Sequence, residues 1–196
     1  MCTKPKKMKK RIAILASGSG SNAENIAQYF AHNEKIEVAL IISNKSDAYV
    51  LRRAENIGIP STVITGKEMR DSEAVLSLLK DQAIDFIVLA GYLLRIPEYL
   101  VEAFPQAIIN IHPALLPDFG GKGMYGDNVH KAVVEAGKTE SGITIHYVNE
   151  NYDEGAIIFQ AKCEVLPSDT YEEVADKVHA LEYAHFPQVI DSLLNK

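Results

Sequence analysis

The 196-residue chain is 47% hydrophobic and 23% charged, which suits one folded domain with a large core and excludes a low-complexity or fibrous polymer. Its net charge of −6 is uneven: Lys4, Lys6, Lys7, Lys9, Lys10 and Arg11 crowd the N-terminus, and without those six cations the remainder falls to −12. An acidic body argues against a nucleic-acid-binding surface, which needs clustered positive charge. Residues 1–10 read as a basic disordered tail and residues 11–196 as the single domain. Cys2 and Cys163, far apart, form neither a disulfide framework nor a zinc pattern, so a reducing cytoplasm is expected. No apolar run approaches the ~20 residues of a membrane span, so no membrane partner is expected.

Arg11 to Ala16 is a buried-type strand, followed by Ser17-Gly18-Ser19-Gly20-Ser21-Asn22 and a helical pattern with Ile26, Tyr29 and Phe30 on one face. Strand, glycine loop and helix start together present backbone N–H groups to an anion. The spacing Gly18-x-Gly20-x-x-Ala23 also meets the dinucleotide fingerprint. That fold wants an acidic residue after its second strand, here Val38 to Ile42, and finds Ser43-Asn44-Lys45 instead. NAD is therefore disfavoured, NADP is left open, and a phosphomonoester held by Gly20, Ser21 and Asn22 fits better.

Asp47 is expected to cap a helix that stops at Gly58, ahead of a short strand from Ser61 to Ile64. Ala74 to Leu79 reads as helical and Ile84 to Ala90 as the most apolar strand; Pro97 suits the first turn of a helix covering Tyr99, Leu100 and Phe104. A strand at Ala107-Ile108-Ile109 follows. This alternation predicts a Rossmann-like, three-layer α/β fold with a mostly parallel sheet and helices on both faces. Beyond Pro117, the glycines Gly120, Gly121, Gly123 and Gly126 mark a loop over Phe119–Gly126, and Asp127 is expected to cap a helix ending at Gly137. Gly142 to Val148 and Ala156 to Val165 form an antiparallel pair extending the sheet. Asp169-Thr170-Tyr171-Glu172 looks like a capping box opening a last helix, which Pro187 interrupts.

Asn110 and His112, two residues apart on extended backbone, leave one face together where Pro113 ends the strand. The carboxyl end of a strand is where open α/β sheets keep ligands. Asp153 sits in the tight connection Asn149–Gly155, a position that also suits a plain turn former. His146 reads as a satisfied core histidine, and His130, His179 and His185 show no metal-ligand spacing.

Three segments, Ser17 to Asn22, Ile111 to Pro117 and Tyr152-Asp153-Glu154-Gly155, resemble the phosphoribosylglycinamide formyltransferases of the folate-dependent formyltransferase family, collinearly and over nearly all of the chain after Arg11. The resemblance implies transfer of a formyl group from 10-formyltetrahydrofolate, as co-substrate, to the glycyl amine of 5′-phosphoribosylglycinamide in purine biosynthesis, without a metal. It implies that Asn110, His112 and Asp153 are catalytic. Gly20, Ser21 and Asn22 would hold the phosphate, with His179 and Glu182 closing on the same substrate. The folate would meet Leu93, Leu94, Arg95 and Ile96, the connection Asn149, Glu150, Asn151, Tyr152 and Asp153, and Arg70. The chain departs from the family's common form at Leu94-Arg95, at His179, and in the longer Phe119–Gly126 loop.

The chemistry agrees. Amine attack on a formyl carbon builds an oxyanion that needs donors, for which the Asn110 amide and a protonated His112 serve. A carboxylate beside the imidazole is expected to raise the histidine pKa. The alternatives are another 10-formyltetrahydrofolate enzyme, hydrolase or tRNA formyltransferase, or an NADP-binding Rossmann protein; the last leaves Asn110, His112 and Asp153 unexplained. Small-molecule substrates and a monomer or weak homodimer are expected.

Overall fold

The computed structural model describes residues 9–195; residues 1–8 of the expected tail, with Cys2, lie outside them. Seven strands form one sheet in the order β3-β2-β1-β4-β5-β6-β7. They are β1 (Lys10–Leu15), β2 (Ile36–Ser43), β3 (Ser61–Val63), β4 (Phe86–Leu89), β5 (Ile108–His112), β6 (Glu140–Tyr147) and β7 (Ile157–Glu164). The first five run parallel, and β6 and β7 are antiparallel additions, as the alternation and the short β6–β7 connection predict. β1 opens at Lys10, and Lys9 Nζ donates to Asn33 O at 2.7 Å.

Strand periodicity splits the core in two. Ile12 and Ile14 face α1 (Ser21–Phe30), α2 (Tyr49–Asn56), α5 (Asp127–Glu135) and α6 (Tyr171–Leu194), with Ile26, Val50, Val133 and Val178 in that layer. Ala13 and Leu15 point the other way, toward α3 (Ser72–Asp81) and α4 (Glu98–Ala103) through Val75, Leu79 and Leu100. The strand order reverses between β1 and β4, and the loops leaving those two strands open a crevice there.

Several helix ends differ from expectation. Asp47 does not cap α2, whose N-cap is Ala48 with no side-chain bond; Asp127 is the first residue of α5 rather than its cap, which is Gly126. There its charge favours the helix dipole instead. Asp71 caps α3 by accepting from Ala74 N–H at 3.1 Å, so that helix starts two residues early. The capping box on α6 is Thr170 with Glu173, one residue beyond the reading above. Pro187 does not interrupt α6, which runs 24 residues through it. Proline leaves the carbonyl four residues back without its helical donor. That carbonyl, Tyr183 O, accepts from Asn25 Nδ2 on α1 at 3.0 Å.

Gly155 is fixed by close approach. A Cβ there would lie 1.6 Å from Tyr147 O, a backbone atom of the neighbouring strand. Gly155→Ala should destabilise the fold by about 1–3 kcal/mol in urea denaturation, as overpacking does; a change within ~0.5 kcal/mol, typical of neutral surface sites, would contradict this account of the connection.

Candidate active site

β5 ends in Asn110-Ile111-His112, and its antiparallel pairing with β6 sets Asn110 opposite His146 and His112 opposite Thr144. Period-2 geometry therefore gathers four polar side chains on one face of two strands. Thr144, wholly buried, donates to Ala114 O at 2.7 Å and accepts from Leu116 N–H at 2.9 Å, which pins the turn after His112.

Asp153 completes the cluster from the β6–β7 connection. It adopts a left-handed conformation with φ of 57°, which costs energy for a residue with a Cβ and is tolerated best by Asp and Asn. Its Oδ2 lies 3.5 Å from His112 Nδ1 and accepts from Gly121 N–H at 2.9 Å. Its Oδ1 lies 3.4 Å from Asn110 Nδ2 and 3.6 Å from His146 Nε2. His112 Nε2 donates to Phe119 O at 2.8 Å, His146 Nδ1 donates to Tyr147 O at 2.8 Å, and His146 Nε2 is 3.1 Å from Asn110 Nδ2.

Burial pushes the Asp153 carboxyl up, but His146, the His112 ring and the Gly121 N–H favour the anion and together hold it below its ordinary value. His112 behaves differently from expectation. Burial holds its imidazole below the ordinary value, and the raising effects of Asp153 and the Phe119 carbonyl offset this only in part. The carboxylate acts in the expected direction; desolvation of a ring 3% exposed is larger.

The cluster opens on a cleft of about 650 Å³, within the range of small-molecule sites. Gly18 to Asn22, Leu93 to Ile96, Asn110, His112, Asn149, Asn151 to Asp153, His179 and Glu182 all line it, together with His130, His146 and Gly121 to Gly126. Arg70 and Glu150 do not line it. Arg70 is exposed at the end of a 3-10 turn, and the Glu150 carbonyl accepts from Arg95 Nε at 2.8 Å. His146, read from the sequence as a satisfied core residue, is a cleft residue touching Asn110 and Asp153. Its place opposite Asn110 depends on cross-strand register, the one signal that would have found it.

Gly20, also lining the cleft, caps α1 in a left-handed conformation with φ of 72°. A Cβ at Gly20 would lie 2.3 Å from Val50 Cγ2, so helix packing as well as ligand approach demands glycine there. The Asn22 side chain is engaged: its Nδ2 donates to Glu182 Oε2 at 2.9 Å. Burial raises the Glu182 carboxyl, against the Asn22 bond and His179. Among the described residues four buried side-chain atoms lack a hydrogen-bond partner, and Asn22 Oδ1, Tyr92 OH and His130 Nδ1 belong to residues lining the cleft. Orphaned polar atoms clustered in one cavity are what a ligand site leaves when its walls are built for a partner. No group of three or more His, Cys, Asp or Glu side chains among the described residues is arranged to hold a metal ion.

Burial, then the neighbouring His179, depress the His130 imidazole from 6.5 to about 4. Between those values the unfolded chain binds a proton at this ring and the folded chain does not, so stability falls as pH falls. The loss integrates to about 3 kcal/mol across that window. Urea denaturation from pH 7 to pH 4 should show a shallower decline for His130→Gln than for the parent chain; identical slopes would contradict the assignment.

Residues 10–190 match the family model described as formyl transferase. A chloroplastic phosphoribosylglycinamide formyltransferase of Arabidopsis thaliana is 41% identical over 191 residues, covering 94% of this chain. The chain spans 65% of that plant protein's length, just under two thirds. A phosphoribosylglycinamide formyltransferase of Haemophilus influenzae is 40% identical over 187 residues, covering 92% of this chain and 85% of its own. The crystal structure of phosphoribosylglycinamide formyltransferase from Bacillus halodurans superposes with a TM-score of 0.86 at 38% identity, covering 95% of this chain and 96% of that one. A continuous match over residues 10–190, with the same sheet and helices in space, leaves one assignment: the chain belongs to the formyl transferase family.

Proposed function

We propose that the protein transfers a formyl group from 10-formyltetrahydrofolate to the glycyl amine of 5′-phosphoribosylglycinamide. The observation that carries this reading is the convergence of Asn110, His112 and Asp153 in the same cleft that is lined by the glycine loop opening α1. An acceptor with an amine at one end and a phosphate at the other fits that layout. The phosphate takes the backbone N–H groups of Gly20, Ser21 and Asn22 at the helix start. The Ser21 hydroxyl adds a donor, while Asn22 Nδ2 is committed to Glu182. Glu182 and His179 line the same end and meet the ribonucleotide.

The folate lies against the segments Leu93 to Ile96 and Asn149 to Asp153. Leu93 and Tyr152 are large apolar side chains, 40% and 42% exposed at the cleft, and offer faces to a fused ring system. Leu94, Arg95, Ile96, Asn149 and Asn151 supply backbone polar groups beside them. Arg70 lies outside the cleft lining, and Glu150 reaches it through its carbonyl's bond from Arg95.

Attack of the neutral glycyl amine on the formyl carbon forms a C–N bond and places negative charge on the formyl oxygen. Asn110 and His112 stabilise that charge at the cleft wall. At 3.4 Å the Asn110–Asp153 hydrogen bond is a long one, so the Asn110 amide hydrogen is free to turn to a developing oxyanion. The same negative charge, with the Asp153 carboxylate, favours a proton on His112 that burial disfavours in the free protein. Collapse of the intermediate breaks the bond to the folate nitrogen, which takes a proton; the amine gives one up by way of the Asp153 carboxylate and water. His146 orients that carboxylate from its second oxygen. No step calls on a metal. Small-molecule substrates, a monomer or weak homodimer and a cytoplasmic setting complete the proposal. No helix among the described residues is long and apolar enough to cross a membrane.

Three acceptors separate this reading from its neighbours. With 10-formyltetrahydrofolate supplied, formylation of 5′-phosphoribosylglycinamide should exceed both formylation of methionyl-tRNA and hydrolysis to formate. Faster transfer to tRNA or to water would overturn the acceptor assignment while leaving the formyl chemistry standing.

A further inference from the structure

The glycine loop is gripped from behind by α2. Val50 N–H donates to Gly18 O at 3.1 Å, and Arg53 Nε donates to Ser19 O at 2.9 Å. Arg53 Nη1 also pairs with Glu24 in the first turn of α1, and the guanidinium lies 5.0 Å from the centroid of the Tyr49 ring. One planar side chain therefore joins the loop, the helix that the loop opens, and α2. A guanidinium serves several partners at once because its N–H groups fork at fixed angles. Neither Arg53 nor Glu24 lines the cleft, so this pair is not a substrate contact.

We propose that Arg53 is the positioning residue that sets the phosphate-recognition loop and so determines preference for a phosphorylated acceptor. This rests on the ribonucleotide reading above. In a planar trans peptide the C=O and N–H of one unit point in opposite directions. The bond from Arg53 holds the Ser19 carbonyl toward α2 and thereby turns the Gly20 N–H away from it. Val50 does the same one unit earlier, holding the Gly18 carbonyl and turning the Ser19 N–H. Both residues line the cleft, and the turned N–H groups join those of Ser21 and Asn22 at the start of α1. The Glu24 carboxylate is neutralised by the same guanidinium, which keeps an uncompensated negative charge from the helix turn that receives an anion.

The test compares 5′-phosphoribosylglycinamide with its dephosphorylated riboside as acceptors at saturating 10-formyltetrahydrofolate. Arg53→Lys keeps a cation but loses the fork, and Arg53→Gln loses the charge as well. Both should raise KM for the ribonucleotide about 10–100-fold, the effect expected for losing a hydrogen bond to a charged group. Values of kcat, of KM for the riboside and of folate Kd should stay near those of the parent chain, so discrimination between the two acceptors collapses. Glu24→Gln, which leaves the Arg53–Ser19 bond in place, should change KM far less. Parent-like discrimination in both Arg53 variants, or folate Kd weakening in step with KM, would overturn the proposal. A parent chain that does not prefer the ribonucleotide over the riboside would instead overturn the phosphate-loop reading, and the role of Arg53 with it.

Discussion

The site depends on one buried carboxylate held in an unfavourable backbone conformation. Asp153 meets His112 and Gly121 through one oxygen and Asn110 and His146 through the other, so a single side chain ties β5, β6, the β6–β7 connection and the glycine-rich loop together. Those partners offset the cost of its left-handed backbone, of order 1–3 kcal/mol when non-glycine residues adopt it. Gly155, pressed against Tyr147 O, shapes the connection that presents it. The anion survives burial because His146, the His112 ring and the Gly121 N–H favour it. Burial of the imidazole beside it outweighs the one carboxylate and holds that ring below its ordinary value. A ring whose proton burial disfavours, next to an ionised acid, takes that proton most readily when new negative charge appears, the condition that the proposed formyl transfer would create.

The second half of the site has a different physical basis. In the proposed reading His112 and Asp153 act by charge and the glycine loop by backbone direction; the Gly18 and Ser19 carbonyls are held by Val50 and Arg53 of α2. Glu182 and Asn22 bridge that loop's helix to α6. The long α6 can reach across because Asn25 satisfies the carbonyl that Pro187 leaves open. Both halves lie beside the sheet's switch point between β1 and β4, so in the proposed reading the fold itself sets the span available to the acceptor.

Much of this was legible in the chain. The pairing of Asn110 with His112 follows from period-2 geometry and the proline after them, and the parallel sheet with its antiparallel extension follows from the alternation of elements and a short connection. Asp153 was legible through family resemblance, since an acidic turn residue by itself carries no signature. His146 is buried and hydrogen-bonded as expected, but its place beside Asn110 and Asp153 is set by cross-strand register, which no local pattern encodes. The direction of the His112 shift was missed because burial depth, unlike a neighbouring charge, cannot be read from adjacent residues. Asp47, Asp127 and Pro187 departed from local rules where tertiary partners or a one-residue offset decided the helix end.

The central claim is that the Asp153 carboxylate acts on the reaction rather than on the turn. Asn tolerates the same left-handed conformation and nearly the same volume, so Asp153→Asn removes the charge while keeping the shape. The decisive measurement is kcat for formyl transfer by that variant, with folate Kd and a thermal melt taken on the same preparation. The account predicts a folded protein with near-native folate affinity and kcat lowered about 10²–10⁴-fold, the usual weight of general acid–base assistance. A well-folded variant keeping most of its turnover would contradict it, reducing Asp153 to a turn former and leaving His112 without a partner.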